Sequence, residues 1–284
     1  MNVDAFPLNA DLHCHSTVSD GLLAPADVVR RAVANGVDLL ALTDHDEVSG
    51  LDEAFAVAAE TGLHLLAGVE ISVSFLGETV HIVGLGIDHR DPALLAGLAA
   101  VRVGRDERAQ RMSDALARIG IRGALEGARR FARNAELVSR SHFARHLVAS
   151  GVMPDVPTVF QYYLAKGKPG FVEHQWASLD EAVGWIRGAG GVAVIAHPAR
   201  YRYSEADLER LFDAFHACGG EAVEVVSGAH GDDEMRRFAS VARRRGLLAS
   251  RASDFHGVEE SPVDLGRCVA LPHDLVPVWS RLLS

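Results

Sequence analysis

The sequence predicts an α/β fold in which parallel strands form a barrel covered by helices. Short runs of apolar residues alternate with amphipathic helical segments, and the runs are almost continuously apolar. Strands of this kind are buried on both faces, which is typical of parallel sheets. The alternation stops between Pro92 and Gly170, and without that stretch roughly 205 residues remain. That length suits about seven strand–helix units better than the usual eight-fold barrel.

The individual elements follow from these runs and from the turn residues between them. Several predicted helices end in glycine, the residue that most often follows a helix C-terminus. Two strand-like runs meet around Leu76, Gly77 and Glu78, which predicts a β-hairpin. The predicted strands are residues 10–15, 37–43, 63–71, 80–87, 192–198, 221–227, 247–254 and 265–271. The predicted helices are residues 26–36, 51–62, 179–191, 205–220 and 233–246.

The stretch in which the alternation stops also differs from the rest of the chain in charge. From Arg102 to Arg145 there are eleven arginines, no lysine and five acidic residues, a net charge of +6 that leaves −16 for the remainder. We expect residues 92–170 to form a helical cap that offers arginine to an anion. Residues 1–91 and 171–284 should form the barrel that binds cations. For most of these arginines, taken one by one, the sequence favours a solvated helix face.

Composition narrows the possible classes of protein. The chain has 284 residues, of which 48% are hydrophobic and 23% charged, so a sizeable core is expected. No stretch of about 18 residues is apolar and free of charge, so we expect no membrane span. Residues 1–15 lack the features of a secretory signal. Three cysteines without a C-x-x-C pair favour a cytoplasmic protein, and the net charge of −10 argues against binding long nucleic acid.

Polar side chains are predicted at the carboxyl ends of the strands, where parallel α/β folds build their sites. The first predicted strand ends in Asp11-Leu12-His13-Cys14-His15. Side chains alternate between the two faces of a strand, so Asp11, His13 and His15 should share a face. Two imidazoles at this spacing can share a metal ion, and Asp20 follows in the next turn.

The second and third predicted strands carry further candidates. Thr43, Asp44, His45 and Asp46 follow the second strand directly, and His45 is the expected ligand. The alternative is that Asp44 or Asp46 caps a helix through its N–H groups. Glu70 lies between apolar residues of the third strand, where a carboxylate is costly to bury unless it is paired or bound to metal. A buried ion pair is therefore the alternative for Glu70.

The remaining candidates lie on later strands. His81 begins the partner strand of the predicted hairpin, although a histidine can also be hydrogen-bonded in a core. His197 follows a fully apolar run, and Asp254 and His256 stand two residues apart at the end of another strand. Mixed nitrogen and oxygen ligands suit Zn²⁺, Mn²⁺ or Fe²⁺ better than Ca²⁺.

The number of candidate ligands exceeds what one ion needs, so we expect two or three divalent ions. Such sites clamp phosphoryl or acyl oxygens and lower the pKa of a bridging water towards neutrality. The sequence therefore predicts a metal-dependent hydrolase. The expected ligands, most of which should also be catalytic, are His13, His15, Asp20, His45, Glu70, His81, His197, Asp254 and His256.

Six blocks of sequence, in order, resemble those of the PHP family (polymerase and histidinol phosphatase domains). The blocks are DLHCHSTVSDG at 11–21, LLALTDHD at 39–46, GVEIS at 68–72, VHIVGLGID at 80–88, AHP at 196–198 and SDFHG at 253–257. The resemblance implies a distorted (β/α)7 barrel, similar to a TIM barrel, with up to three divalent ions. It implies three ligand sets: His13, His15, Glu70 and Asp254; Glu70, His81 and His197; and Asp20, His45 and His256.

The predicted cap resembles that of a subfamily whose members hydrolyse small phosphate esters. The segments SRSHFAR at 139–145 and LAKGKPGFV at 164–172 carry this resemblance. It implies that Arg140, His142 and Lys168 bind substrate phosphate, and that the substrate is a nucleoside 3′,5′-bisphosphate such as pAp. The family usually has Arg-Pro-His at this position, and here Ser141 replaces the proline, so loop stiffness should differ.

The implied mechanism is a phosphoric monoester hydrolysis. Ions at the strand ends, Mn²⁺ first and Zn²⁺, Fe²⁺ or Mg²⁺ as alternatives, activate a water that attacks phosphorus in line. Arg140, His142 and Lys168 neutralise phosphate oxygens. A guanidinium can bind phosphate through two parallel bonds, so Arg140 should determine specificity more than Lys168.

Three other functions remain open from the sequence. The protein could be a 5′-to-3′ exonuclease on short RNA, because the acidic barrel would repel only longer nucleic acid. It could be a histidinol-phosphate phosphatase, although a basic cap disfavours a cationic substrate. It could also be a non-catalytic, metal-stabilised binding module, but such modules lack some of the strand-end ligands that this sequence keeps.

Overall fold

The computed structural model of the chain describes residues 8–134 and 137–283. Residues 1–7 and 284 of the predicted barrel, and residues 135 and 136 of the predicted cap, therefore lie outside the described residues. The seven strands are β1 (Ala10–Asp11), β2 (Leu39–Leu42), β3 (His64–Phe75), β4 (Glu78–Leu85), β5 (Val192–Ile195), β6 (Ala222–Ser227) and β7 (Leu248–Ala252).

Helices connect most of these strands, and a long helical insertion separates β4 from β5. The helices outside the insertion are α1 (Pro25–Ala34), α2 (Leu51–Thr61), α7 (Leu179–Gly188), α8 (Glu205–Ala217), α9 (Asp232–Arg245) and α10 (Trp279–Leu282). The insertion holds α3 (Pro92–Arg118), α4 (Ala124–Arg129), α5 (Arg140–Ala149), α6 (Val156–Val159) and a π-helical turn (Phe160–Leu164).

The strands pair in chain order and close into a nearly complete barrel. Neighbouring strands are parallel except at β4, which runs antiparallel to both β3 and β5. The ring closes where the Leu12 N–H donates to the carbonyl oxygen of Arg251 at 3.1 Å, and the Asp254 N–H donates to that of His13 at 2.9 Å. This seven-stranded barrel with surrounding helices confirms the predicted α/β fold.

The β3–β4 hairpin is the expected one. Phe75 pairs with Glu78, and the turn between them consists of Leu76 and Gly77, both with positive φ (46° and 75°). Two successive residues with positive φ give the turn that matches the twist of a hairpin. Because β4 is antiparallel, its first residues lie at the same end of the barrel as the carboxyl ends of the other strands.

Residues 265–271 are not a strand, so that prediction is wrong. The N–H of Gly266 donates to the Asp11 carboxylate at 2.8 Å. The Arg251 guanidinium donates to the carbonyl oxygens of Gly266, Cys268 and Val269. These backbone groups are therefore satisfied by buried side chains instead of by a neighbouring strand, a replacement that an apolar pattern does not reveal.

Two apolar clusters make up the barrel core. One fills the barrel interior with strand side chains such as Leu12, Val83 and Val194, and Trp279 of α10 packs against them. The other lies between the strands and the surrounding helices. None of the helices that the structure describes is both long enough and apolar enough to cross a bilayer.

The insertion has an apolar cluster of its own. Met112 and Leu116 of α3 pack with Phe143 and Leu147 of α5 and with Leu164 of the π-helical turn. The first half of α3 belongs to the barrel instead, because its Leu94 and Leu98 are buried in the barrel core. Helix α3 therefore carries the insertion outward from the barrel, and its middle residues pass the carboxyl ends of the strands.

Candidate metal centre

All nine residues predicted as ligands converge at one end of the barrel. They follow or lie on six of the strands, at the carboxyl ends of the parallel strands and at the early part of β4, and Asp20 lies in the turn after β1. Their side chains are buried or nearly so, and the most exposed, His256, is 19% exposed. The members of this cluster are His13, His15, Asp20, His45, Glu70, His81, His197, Asp254 and His256.

Glu70 lies at the centre of this cluster. Its Oε1 is 2.7 Å from His81 Nδ1 and 3.0 Å from His197 Nε2, and its Oε2 faces the other three nitrogens. Burial alone would raise the pKa of the Glu70 carboxyl, but the surrounding histidines hold it well below its usual value. The surrounding nitrogens lie within 3.3 Å of the carboxylate and belong to His13, His15, His45, His81 and His197.

Three subsets of the cluster have ligand atoms close enough together to hold one ion each. We name them by their carboxylates as the Asp254 group, the Glu70 group and the Asp20 group. The Asp254 group is His13, His15 and Asp254; the Glu70 group is His45, Glu70 and His81; the Asp20 group is His15, Asp20, His45 and His256. These sets partly follow the family pattern: Glu70 is absent from the first and His197 from the second, while His45 joins the second and His15 joins the third.

The donor atoms of the cluster are better arranged to bind cations than to form hydrogen bonds with one another. Among the described residues, Asp20 Oδ1, His45 Nδ1, Glu70 Oε2 and His81 Nδ1 are buried without a hydrogen-bond partner. Buried polar atoms without partners are costly, and a divalent ion would satisfy several of them at once. A mixture of histidine nitrogens and carboxylate oxygens suits Mn²⁺, Zn²⁺ or Fe²⁺.

The protonation states of two of the ligands, His15 and His81, favour metal binding. Burial and the nearby His256 and His45 lower the pKa of His15 to about 3. Burial lowers the pKa of His81 to about 4, against the opposing effect of Glu70. Both imidazoles are therefore neutral near pH 7, as ligands must be. Burial would lower the pKa of His256 as well, but the Asp20 carboxylate raises it to about 9.

The other polar residues after β2 support the backbone. Asp44 accepts hydrogen bonds from the N–H and hydroxyl groups of both Ser16 and Ser19, at 2.6 to 3.3 Å. Asp46 accepts from the N–H of Ser72 at 2.7 Å and from its hydroxyl. The alternative, a helix cap by Asp44 or Asp46, is wrong: the N–H groups that they accept from belong to a turn and to β3.

Two cavities meet beside the cluster. The smaller, of about 180 Å³, is lined by Asp20, His45 and Glu70, and the larger has a volume of about 760 Å³. Arg140 and Arg200 line both cavities. The larger cavity therefore gives access to the metal-binding end of the barrel.

Several arginines line these cavities: among them, Arg108 is buried, Arg140 is half-buried and Arg200 is exposed. Burial and Arg105 lower the pKa of Arg140, and burial and Arg140 lower that of Arg108 well below its usual value. Neither Arg108 nor Arg140 forms an ion pair with a carboxylate in the part of the chain that the structure describes. The Arg200 Nη1, by contrast, lies 2.8 Å from Asp254 Oδ2. The positive charge at the junction is therefore only partly neutralised, which is a suitable environment for an anion.

The other two predicted phosphate ligands lie elsewhere. His142 is buried at the start of α5, where its Nδ1 accepts a hydrogen bond from the Ser139 N–H at 3.0 Å, and it lines neither cavity. Lys168 is exposed and also lines neither cavity, whereas Lys166 lines the larger one and pairs with Glu78 at 2.7 Å. The structure thus brings Arg140, and not His142 or Lys168, to the cavities.

The sequence pattern of the PHP domain matches residues 11–215. The chain belongs to the PHP domain family. This confirms the resemblance that the six sequence blocks carried, and the match includes β1 to β5 together with the whole insertion.

Relatives of this PHP protein cover nearly its whole length. A 3′,5′-nucleoside bisphosphate phosphatase from Chromobacterium violaceum is 54% identical over 96% of this chain and 96% of the relative. A 5′-3′ exoribonuclease from Haemophilus influenzae is 40% identical over 95% of this chain and 98% of the relative. A solved structure from Bifidobacterium adolescentis, assigned as a metal-dependent phosphoesterase, has a TM-score of 0.80 and 28% identity over 96% of this chain and 93% of that one.

Two supporting residues of the PHP site were missed in the sequence. Glu224 of β6 is buried, and its Oε1 lies 2.7 Å from His13 Nδ1 while its Oε2 accepts from the His197 N–H at 2.6 Å. The Tyr201 hydroxyl accepts from the His81 N–H at 2.9 Å and donates to the Ala196 carbonyl at 2.7 Å. The argument that identified Glu70, a carboxylate flanked by valines or other apolar residues in a strand, applies equally to Glu224.

The position of His142 predicts a pH effect on stability. Burial lowers its pKa to about 4, below the ordinary value of 6.5. As pH falls below 6.5, the unfolded chain binds a proton that the folded chain excludes, so stability decreases on acidification and is fully present above that pH. Between about pH 7 and about pH 5, this group lowers the free energy of unfolding by about 2 kcal/mol.

We therefore expect His142→Asn, which keeps an acceptor for the Ser139 N–H, to lose less stability on acidification than the wild type. Denaturant unfolding of the metal-free proteins at the two pH values measures the difference. Because other titrating groups are common to both proteins, an identical pH dependence would contradict the buried, neutral state of His142.

Proposed function

We propose that this chain is a metal-dependent phosphoesterase that removes the 3′-phosphate from a nucleoside 3′,5′-bisphosphate such as pAp. The observation that carries the proposal is the position of the buried Arg108 and the half-buried Arg140, which have no carboxylate partners among the described residues, directly beside the ligand cluster. The cluster and the arginines provide neighbouring environments for two phosphate groups. The bisphosphate phosphatase relative supports the same substrate class.

Each part of the site has a proposed task. Two or three divalent ions, Mn²⁺ first, would be held by the Asp254, Glu70 and Asp20 groups, and when bound they supply a nucleophilic water at neutral pH and neutralise phosphate charge. Arg140 orients the substrate through paired N–H donors. Arg200 is fixed by Asp254 where the two cavities meet, so its guanidinium can donate to the phosphate that faces the cluster.

The larger cavity suits the nucleoside part. Trp176 and Phe160 line it, with the Arg140 guanidinium 5.8 Å above the Phe160 ring. Aromatic rings beside basic side chains are typical of sites that bind nucleotides by stacking.

The three cysteines are free, which supports the cytoplasmic location that we propose.

Short RNA is the second candidate substrate. The larger cavity extends to Lys166 and the tip of the β3–β4 hairpin at Gly77, so basic and aromatic side chains continue beyond the cluster. The exoribonuclease relative supports this activity. Histidinol phosphate is disfavoured because the unpaired arginines would repel its cationic side chain.

A phosphate-release screen with Mn²⁺ tests the proposal. The substrates are pAp, 5′-AMP, 3′-AMP, histidinol phosphate and short 5′-phosphorylated RNA, with nucleotide products followed separately. We expect the highest kcat/KM with pAp. Faster turnover of histidinol phosphate than of any nucleotide would refute the substrate class, and no release from any substrate would favour a binding module.

Replacing Arg140 tests how the substrate is bound. Arg140→Ala should lower kcat/KM for pAp by about 10- to 100-fold, because a charge-assisted hydrogen bond contributes about 1.5–3 kcal/mol. Arg122→Ala is the matched control, since Arg122 is an exposed arginine of the same insertion. Wild-type activity of Arg140→Ala would show that Arg140 does not bind the substrate.

A further inference from the structure

We infer that the insertion assembles one particular ion site, the Asp20 group, and that Ser139 and Arg145 of the insertion are its positioning residues. The inference rests on the proposed metal-dependent function. It concerns how three ligands contributed by the barrel are held in place by side chains from outside the barrel.

Ser139 directs the Asp20 carboxylate. It is the N-cap of α5, and its hydroxyl oxygen accepts a hydrogen bond from the Ser141 N–H at 3.1 Å. The hydroxyl proton is therefore free to be donated to Asp20 Oδ2, which lies 3.0 Å away. This bond holds one carboxylate oxygen, while the other, Oδ1, faces His45 and His256 at 3.7 and 3.4 Å.

Ser141 contributes to this arrangement through its backbone. A proline at position 141 would have no N–H to donate to the Ser139 hydroxyl. With Ser141 in place, the hydroxyl has a fixed N–H donor, and its own proton is directed to Asp20. The residue that departs from the usual Arg-Pro-His pattern thus strengthens the connection between the insertion and the cluster.

Arg145 holds two chain segments that carry residues of the same group. Its Nη2 donates to the backbone carbonyl of Asp20 at 2.6 Å, and its guanidinium binds both carboxylate oxygens of Glu260 at 2.7 and 2.8 Å. Glu260 lies in the loop that follows His256, where Ser261 accepts from the His256 N–H at 2.7 Å. One arginine of α5 therefore connects the turn of Asp20 with the loop of His256.

A third segment is held by α3. Arg105 is buried and forms an ion pair with Asp46, the residue after His45, and it also donates to the Ser72 hydroxyl at 3.0 Å. Three of the four residues of the Asp20 group are thus attached to the insertion, directly or through a neighbour. The fourth, His15, follows β1 and contacts Ser19 of the barrel.

Apart from His45, which the Asp20 and Glu70 groups share, the other two groups are held from within the barrel. Glu224 of β6 orients His13, and Tyr201, after β5, orients the backbone of His81. Arg200 contacts Asp254 from the same segment as Tyr201. This contrast is the basis of the inference: a change in the insertion should weaken the ion at the Asp20 group and leave the ions at the Asp254 and Glu70 groups in place.

Manganese binding to the metal-free protein tests this inference. Ser139→Ala should weaken Mn²⁺ binding at the Asp20 group by roughly 10- to 100-fold, the range for loss of a group that orients a metal ligand. Anomalous scattering from crystals grown with limiting Mn²⁺ gives the occupancy at each group. Titration calorimetry gives the affinity in solution, independently of any activity.

Two variants separate positioning from helix capping. Ser139→Thr keeps the hydroxyl and should restore binding. Ser178→Ala removes an equivalent N-cap serine at the start of α7, far from the cluster, and should bind Mn²⁺ like the wild type although it also loses a cap. Thermal unfolding of the metal-free proteins verifies that the two alanine variants lose stability to a similar extent.

The possible outcomes are distinct. Loss of occupancy at the Asp20 group alone in Ser139→Ala supports the inference. Equal loss at all three groups, or no loss, overturns it while leaving the metal-dependent function intact. A wild-type protein that takes up no ion at any group would overturn both the inference and the proposed function.

Discussion

Replacing Glu70 with glutamine is expected to lower kcat by about 10³-fold, which corresponds to about 4 kcal/mol of transition-state stabilisation. Glu70 is fully buried, and its two oxygens together face five histidine nitrogens. No other carboxylate in the cluster touches as many of the proposed ligands. Glutamine keeps the shape but removes the charge and one of the two acceptor oxygens, so it would be a much weaker ligand for a divalent cation.

The experiment compares three proteins at saturating pAp and Mn²⁺. Glu60→Gln is the matched control, because Glu60 is exposed on the outside of α2. Circular dichroism and thermal unfolding establish that Glu70→Gln remains folded. If folded Glu70→Gln retained a kcat within a few-fold of the wild type, the Glu70 group would not participate in the reaction, and the proposed arrangement of the ions would have to be abandoned.

The metal ligands could be predicted because each depends on local sequence. An apolar run that ends in polar residues places those residues at the carboxyl edge of the sheet, whichever helices cover it. The hairpin at Leu76 and Gly77 reverses β4, so the start of that strand returns His81 to the same edge. Strand direction therefore brings the ligands together without knowledge of the packing. The expectation that Asp11 shares their face is wrong, because β1 ends at Asp11 and its carboxylate instead accepts from the N–H groups of Ser253 and Gly266.

The arginines of the insertion could not be assigned in this way. The sequence favoured solvated helix faces, and Arg111, Arg118 and Arg122 are indeed exposed, whereas Arg105 and Arg108 are buried against the barrel. Which face of α3 meets the barrel depends on how the insertion docks, and contacts distant in sequence decide that. The spacing of three residues between Arg102, Arg105 and Arg108, which places them on one helix face, was the available signal.

His142 and Lys168 show the same limit. The resemblance implied that both bind phosphate, but the side-chain direction depends on local backbone geometry. The His142 ring turns back to accept the N–H of its own helix N-cap, Ser139. Gly167, with a φ of 79°, turns the chain between Lys166 and Lys168, so that Lys166 lines the cavity.

Glu224→Gln and Glu224→Ala are expected to weaken Mn²⁺ binding with little effect on kcat at saturating metal. Burial alone would raise the pKa of the Glu224 carboxyl, but the neighbouring His13 holds it below the ordinary value, so it is a carboxylate. A carboxylate can only accept, so His13 donates from Nδ1 and directs its Nε2 to the cluster, where it faces Glu70 and Asp254. Burial would lower the pKa of His13, but Glu70 and the other carboxylates hold it well above its ordinary value, so a metal ion would replace a proton at Nε2. Carboxylates that orient a metal-bound histidine typically contribute roughly 10- to 100-fold to metal affinity.

The two Glu224 variants should differ in degree. Glutamine can still accept from His13 through its amide oxygen, but it then presents an N–H₂ group to the His197 N–H, so we expect a loss of about tenfold. Alanine leaves both N–H groups without an acceptor and should lose about 100-fold in Mn²⁺ affinity.

Competition with a metal indicator measures the affinity, and Glu221→Gln, before the opposite end of β6, is the control. If excess Mn²⁺ failed to restore the activity of either variant, a positioning role would be contradicted. A residue that acts only by orienting His13 changes the metal concentration that is required and not the reaction itself.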